Sequence, residues 1–74
     1  MSRIIIDVRG LACPEPLIAF TDAANSPDAD EIAISFDCAA ARDNITRAAA
    51  SSGWTVASVS EEADYTVMNL TKTA

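Results

Sequence analysis

The sequence predicts an α/β domain whose four strands form one sheet with two helices on one face. Strand-like and helix-like segments alternate in the order β-α-β-α-β-β, and the first strand–helix–strand unit implies a parallel pair joined by a right-handed crossover. The breaks between segments fall on turn formers, at Gly10, at Asn25-Ser26-Pro27 and at Gly53. With 74 residues, the span 1–74 is one small domain, and 50% hydrophobic content is enough for a single modest core.

The first strand runs from Arg3 to Val8, where isoleucine and valine dominate, and Gly10 breaks it. Cys13 stands at the N-cap position of the helix that follows. Pro14 then takes the first helical position, where its missing N–H has no helical partner to lose. Pro16 is still inside the first turn. Leu17, Phe20 and Ala24, with Ile18 beside them, form one face of this helix. In the second strand Ile32, Ile34 and Phe36 alternate with Ala33 and Ser35, the pattern of a half-buried sheet surface.

Asp37 is positioned to cap a second, alanine-rich helix from Ala39 to Ser51, with Ala41, Ile45, Ala48 and Ala49 on one face. Gly53 ends it, as glycine past a last turn does. The third strand runs from Trp54 to Val59, Glu61 and Glu62 fill a turn, and Tyr65, Val67 and Met68 to Leu70 mark the fourth. Trp54 and Phe20 read as core, whereas Arg42 and Arg47 read as surface residues on the second helix.

Composition narrows the chemistry. The chain has 11 acidic and 5 basic residues, a net charge of −6, which disfavours contact with nucleic-acid phosphates and anionic membranes. The charge serves solubility or steers the domain toward a basic protein partner. There is no histidine and there are two cysteines, so no structural zinc site, no metal and no cofactor is expected. No stretch reads as a signal peptide or a bilayer span, which points to a reducing cytoplasm.

Cys13 is the strongest chemical signal. A thiol at a helix N-terminus meets first-turn N–H groups and the positive end of the helix dipole, both of which favour thiolate over the ordinary thiol, with its pKa of about 8.5. Arg9 adds positive charge nearby, and Glu15 opposes it. Nothing in the chain offers the general base that acyl transfer requires. Thiol–disulfide exchange and persulfide transfer need only accessible thiolates, because sulfur attacks sulfur directly. The alternative is that Cys13 is simply a small buried hydrophobe before a helix. Cys38 follows the second strand as Cys13 follows the first, so both thiols belong to the same edge of a parallel pair.

Asp7 and Arg9 lie two apart on the strand and share a face. They either shape the Gly10–Cys13 turn or form a solvated surface pair of little net value. Arg9 is also available for docking or for the charge of a persulfide. Gly10 reads as a backbone position closed to other residues. Leu11 either aids docking or packs under the turn.

Asp7, Arg9-Gly10-Leu11, Cys13-Pro14 and Pro16 together resemble the signature of the TusA/SirA/YedF-like family of small sulfur-carrier proteins, whose core is Cys-Pro-x-Pro after an Arg-Gly-Leu turn. The likeness extends through the strand ending at Asp37, the Ala39–Asn44–Ile45 region, most similar to the YedF-type branch, and the Gly53-Trp54 boundary. It implies a two-layer α/β sandwich with a mixed sheet, like the C-terminal domain of translation initiation factor three. It also implies that Cys13 accepts a sulfane sulfur as a persulfide, with Asp7, Arg9, Gly10, Pro14, Glu15 and Pro16 supporting; a small acidic domain of this kind is expected to be a monomer. The donor would be of the cysteine desulfurase or rhodanese type. The sulfur would pass to an acceptor protein, in tRNA thiolation or another sulfur pathway, so the domain is a covalent carrier rather than an independently turning-over enzyme.

Cys38 departs from the family pattern, which has a polar residue there. It is either a resolving or relay thiol or an ordinary, partly buried cysteine. Two further readings therefore stand beside the carrier: a redox module using a reversible Cys13–Cys38 disulfide, and an interaction module that has lost transfer.

Overall fold

A computed structural model describes residues 2–11 and 15–72. Its elements are β1 (Ser2–Asp7), α1 (Glu15–Ala24), β2 (Ala29–Phe36), α2 (Ala41–Ser52), β3 (Trp54–Glu61) and β4 (Thr66–Lys72). They form an α/β sandwich in which two helices lie on one face of a mixed sheet of order β1-β2-β4-β3. β1 pairs with β2 in parallel, as a helical crossover requires, and β4 lies antiparallel between β2 and β3. The expectations for Cys13 as N-cap and Pro14 as the first helical residue lie outside the described residues.

Alternation places the apolar side chains. Ile4 pairs with Ile32, Ile32 with Leu70 and Leu70 with Val56, which makes one hydrophobic row across all four strands. Ile6, Ile34, Met68 and Val59 make a second row by the same pairings. α1 places Phe20 on these rows, and α2 adds the large side chain of Ile45 flanked by the small ones of Ala41 and Ala49. Phe20 and Trp54 meet edge to face, with ring centroids 6.2 Å apart and planes at 78°. The helix-free face carries Arg3, Ser58 and Asn69, linked by hydrogen bonds from Arg3 to Asn69 and from Asn69 to Ser58. Ile5 on the edge strand β1 is 77% exposed, because its neighbours in sequence, Ile4 and Ile6, take the core side.

Three local expectations are corrected. α2 starts at Ala41 rather than Ala39, with Ala40 as its N-cap and no side-chain cap, so Asp37 does not cap it. The carboxylate of Asp37 instead accepts the Gly10 N–H, which the parallel neighbour brings within reach. Glu61 belongs to β3, paired with Thr66, and the turn falls on Glu62–Tyr65, where the Glu62 N–H donates to the Tyr65 carbonyl at 2.8 Å. β3 reaches that far through a bulge between Val56 and Ser58, which admits one extra residue on an edge strand. At the other end of α2, Gly53 adopts φ 79° and donates its N–H to the Ala49 carbonyl, as its position predicts.

Truncation of Phe20, which is fully buried, is expected to cost about 3–5 kcal/mol. A single core of this size supplies roughly that much net stability, so Phe20→Ala is expected to be largely unfolded in water. Ile5→Ala is expected to stay within about 0.5 kcal/mol of the parent. Urea unfolding followed by Trp54 fluorescence checks both.

Candidate functional site

The β1–β2 ladder continues one residue beyond β1, through the Val8 N–H and the Ser35 carbonyl at 2.9 Å. The two chains therefore leave the sheet side by side. After Val8 a turn closes with Leu11 N–H donating to the Val8 carbonyl at 3.2 Å, and Gly10 within it takes φ 86°. A Cβ at Gly10 would meet nothing within 4 Å, so the backbone conformation, and not lack of space, calls for glycine. The Gly10 N–H then donates to Asp37 Oδ2 at 2.7 Å, a short charge-assisted bond that ties the β1 exit to the β2 exit.

Asp7 and Arg9 form a fork. Arg9 Nε donates to Asp7 Oδ1 at 2.9 Å and Nη2 to Oδ2 at 2.9 Å, and the Arg9 backbone N–H adds a third bond to Oδ1 at 3.1 Å. These side chains share a face because Val8, between them, turns into the core. The guanidinium also lies over the Tyr65 ring, 4.8 Å from its centroid. The Arg9 side-chain hydrogen bonds hold the Asp7 carboxyl below the usual carboxylate range, and the backbone bond acts in the same direction. Both partners are about half exposed, at 48% and 54% of side-chain surface, so solvent screens the pair.

Cys38 sits on the β2–α2 loop, half-buried and packed against the hydrophobic core, with its carbonyl accepting the first N–H of α2 from Ala41 at 3.1 Å. It is disulfide-bonded. The Cys38 loop and the β3–β4 turn enclose a cleft whose walls include Asp37, Arg42, Glu62 and Tyr65. An adjoining cleft lies between Asp7, Arg9, Gly10, Asp37, Asp64 and Tyr65. The two clefts share the walls Asp37, Asp64 and Tyr65 and form one end of the molecule. Five carboxylates (Asp7, Asp37, Glu61, Glu62, Asp64) line this end, against two guanidiniums, Arg9 and Arg42. Arg42 is paired with Glu61 at 3.3 Å, so each cation already faces a carboxylate.

Of the residues singled out by sequence, the structure gathers Asp7, Arg9, Gly10 and Cys38 at this end. Glu15 opens α1 exposed to solvent, Pro16 is buried behind it, and Leu11 is 45% exposed. Cys13 and Pro14 lie outside the described residues. Two contributors were missed. Asp37 carried a signal that fitted a helix cap equally well, and Tyr65, the platform for Arg9, carried none beyond that of a residue of the fourth strand, which in fact begins after it at Thr66.

A small α/β sandwich with one end built from the loops after two parallel strands defines the class of protein. A profile of the family described as sulfurtransferase TusA matches residues 4–72. The chain belongs to that family, and its general role is that of a TusA/SirA-like sulfur carrier. The crystal structure of a SirA-like protein from Desulfitobacterium hafniense has the same fold, with a TM-score of 0.78 at 22% sequence identity, over 96% of this chain and 99% of that one. No curated protein sequence is significantly similar to the chain. Among the described residues, no helix is long and apolar enough to cross a membrane.

Asp7 is expected to titrate below the ordinary carboxylate range, and Arg9→Gln to return it there; carboxyl-carbon NMR across an acid titration checks both. Because the folded-state value is the lower one, the stabilisation is complete above the unfolded carboxylate's titration. It is lost as pH falls through the folded midpoint, and pH changes near neutrality leave it untouched. Asp37→Ala removes the acceptor for Gly10 and is expected to cost about 1 kcal/mol. In a domain of this size that lowers Tm by roughly 4–8 °C, readable by thermal circular dichroism.

Proposed function

We propose that the chain carries sulfane sulfur as a persulfide on Cys13, taking it from a donor protein and passing it to an acceptor protein. The observation that carries this reading is the family match, which spans the Asp7–Pro16 segment around Cys13. In the loading step the Cys13 thiolate attacks the outer sulfur of a donor cysteine persulfide. The donor's sulfur–sulfur bond breaks, its cysteine departs as thiolate, and Cys13 is left as the persulfide. Unloading repeats the step with Cys13 as the leaving thiolate. Neither direction needs a general base, a metal or a cofactor, which suits a chain without histidine.

The donor is of the cysteine desulfurase or rhodanese type, and the acceptor serves tRNA thiolation or another sulfur pathway in a reducing cytoplasm. The domain acts as a monomer, with Asp7, Arg9 and Gly10 setting the turn that leads to Cys13, and with Pro14, Glu15 and Pro16 as supporting residues. The carboxylates at this end favour partners with basic docking surfaces and disfavour direct contact with RNA. A second reading, the thiol redox module, draws support from the disulfide state of Cys38. Under the third reading, a non-transferring interaction module, Cys13→Ser would leave partner function intact.

The test is to incubate the reduced protein with a cysteine desulfurase and cysteine, then record intact mass and peptide maps without reductant. The expected product gains one sulfur atom on Cys13, and Cys13→Ser gains none. No gain from that donor or from polysulfide, with Cys13 open to alkylation, would overturn the carrier reading.

A further inference from the structure

The sheet ends in two edge strands, and they are built differently. β3 is interrupted by the bulge between Val56 and Ser58 and exposes Thr55, Ser58, Ser60 and Glu61. Bulges and polar side chains are how an edge strand avoids further pairing. β1 has no such bulge in its central stretch. Its ladder to β2 is regular from Arg3 to Asp7, and its central Ile5 is the most exposed large hydrophobic residue among those described, at 77%.

The hydrogen-bonding sense of this edge follows from one bond. The Val8 N–H donates to the Ser35 carbonyl on β2, and successive residues of a strand aim their backbone groups to opposite sides. Val8, Ile6 and Ile4 therefore face β2, and the N–H and C=O groups of Arg3, Ile5 and Asp7 face outward. The side chains of these same three lie on the helix-free face, because Ile4, Ile6 and Val8 turn into the core. An antiparallel strand that completed the edge would set an acid opposite Arg3, an apolar residue opposite Ile5 and a base opposite Asp7. Written from its own N-terminus, such a strand runs base, any, apolar, any, acid, and Arg3-Ile4-Ile5-Ile6-Asp7 is that sequence. β1 is complementary to itself. The chain carries −6 in all, yet residues 2–11 hold Arg3 and Arg9 against Asp7 alone, so two copies would meet along a strip with no excess of acid.

We propose that two copies of this chain pair through β1 about a two-fold axis at Ile5, which joins their sheets into one. Ile5 then faces Ile5 of the second copy, and Arg3 of each faces Asp7 of the other, an isologous contact. These are pairs of the hydrogen-bonded kind, in which the two residues exchange both backbone bonds. Asp7 already accepts Arg9 Nε and the Arg9 backbone N–H on Oδ1, and Arg9 Nη2 on Oδ2. A carboxylate has about four lone-pair sites, so Oδ2 can accept Arg3 of the second copy without releasing Arg9. For this Arg3 gives up its 3.4 Å hydrogen bond to Asn69. A contact one strand wide belongs to the weak, transient class of interfaces, so monomers act at low concentration and dimers form as it rises. No cysteine takes part, and the pairing does not rest on the carrier reading.

The experiment is sedimentation velocity on the full chain, with reductant present so that no disulfide links copies, from about 10 μM to about 1 mM. Amide hydrogen exchange is followed by NMR over the same range. A reversible monomer–dimer equilibrium is expected. Ile5→Lys and Arg3→Asp, both at exposed positions, are expected to weaken it at least about tenfold, because like charges then stand opposite and the two-fold axis repeats each change. Exchange at the Arg3, Ile5 and Asp7 amides is expected to slow with concentration, while the Ile4, Ile6 and Val8 amides are protected throughout. A chain that stays monomeric across the range overturns the inference. So does a dimer that both variants leave intact, or one whose added protection falls outside β1. Should a variant not fold, the wild-type exchange pattern still decides. No sulfur is measured, so failure here leaves the carrier reading standing.

Discussion

The parallel register of β1 on β2 is the constraint on which the rest of the molecule depends. It sets Ile4 beside Ile32 and Ile6 beside Ile34, so one hydrophobic face serves both strands. A slip of one residue would turn those side chains to solvent and bring Ile5, now exposed, into the core. The same register decides where the chain leaves the sheet. Val8 is still hydrogen-bonded to Ser35 when β1 has ended, and the next polar contact, Gly10 to Asp37, joins two loops 27 residues apart in sequence. An antiparallel pair would have sent those loops to opposite ends. The packing that stabilises the domain and the geometry that builds its functional end thus share one cause.

The charges at that end are arranged to be quiet. Arg9 is held by Asp7 through a two-point fork and covered by Tyr65, and Arg42 faces Glu61. A guanidinium so engaged is a structural element first, and it brings little free positive charge to a neighbouring anion. The fork also explains why a turn with a left-handed glycine can be held open to solvent. The Asp7 carboxylate bonds both the side chain and the backbone N–H of Arg9, one residue before the unusual φ, and Asp37 takes the next N–H at Gly10. Three consecutive features of the turn are therefore satisfied by two carboxylates, without a buried polar atom.

Much of this was legible in the sequence, for reasons that differ by element. The alternation of Ile32, Ile34 and Phe36 and the helical spacing of Ala41, Ile45 and Ala49 are dictated by burial, and burial leaves a periodic record. Gly10 and Gly53 were legible because a positive φ selects glycine almost alone. Asp37 was not, because an aspartate before an alanine-rich helix fits a cap, and its actual partner is set by strand pairing that local sequence does not display. Glu61 was misread for a related reason. Two adjacent glutamates suggest a turn by propensity, but the exposed edge strand β3 accepts charge readily, and its pairing with Thr66 carries it one residue further. Tyr65 left no trace at all, since its role exists only once Arg9 is folded over it.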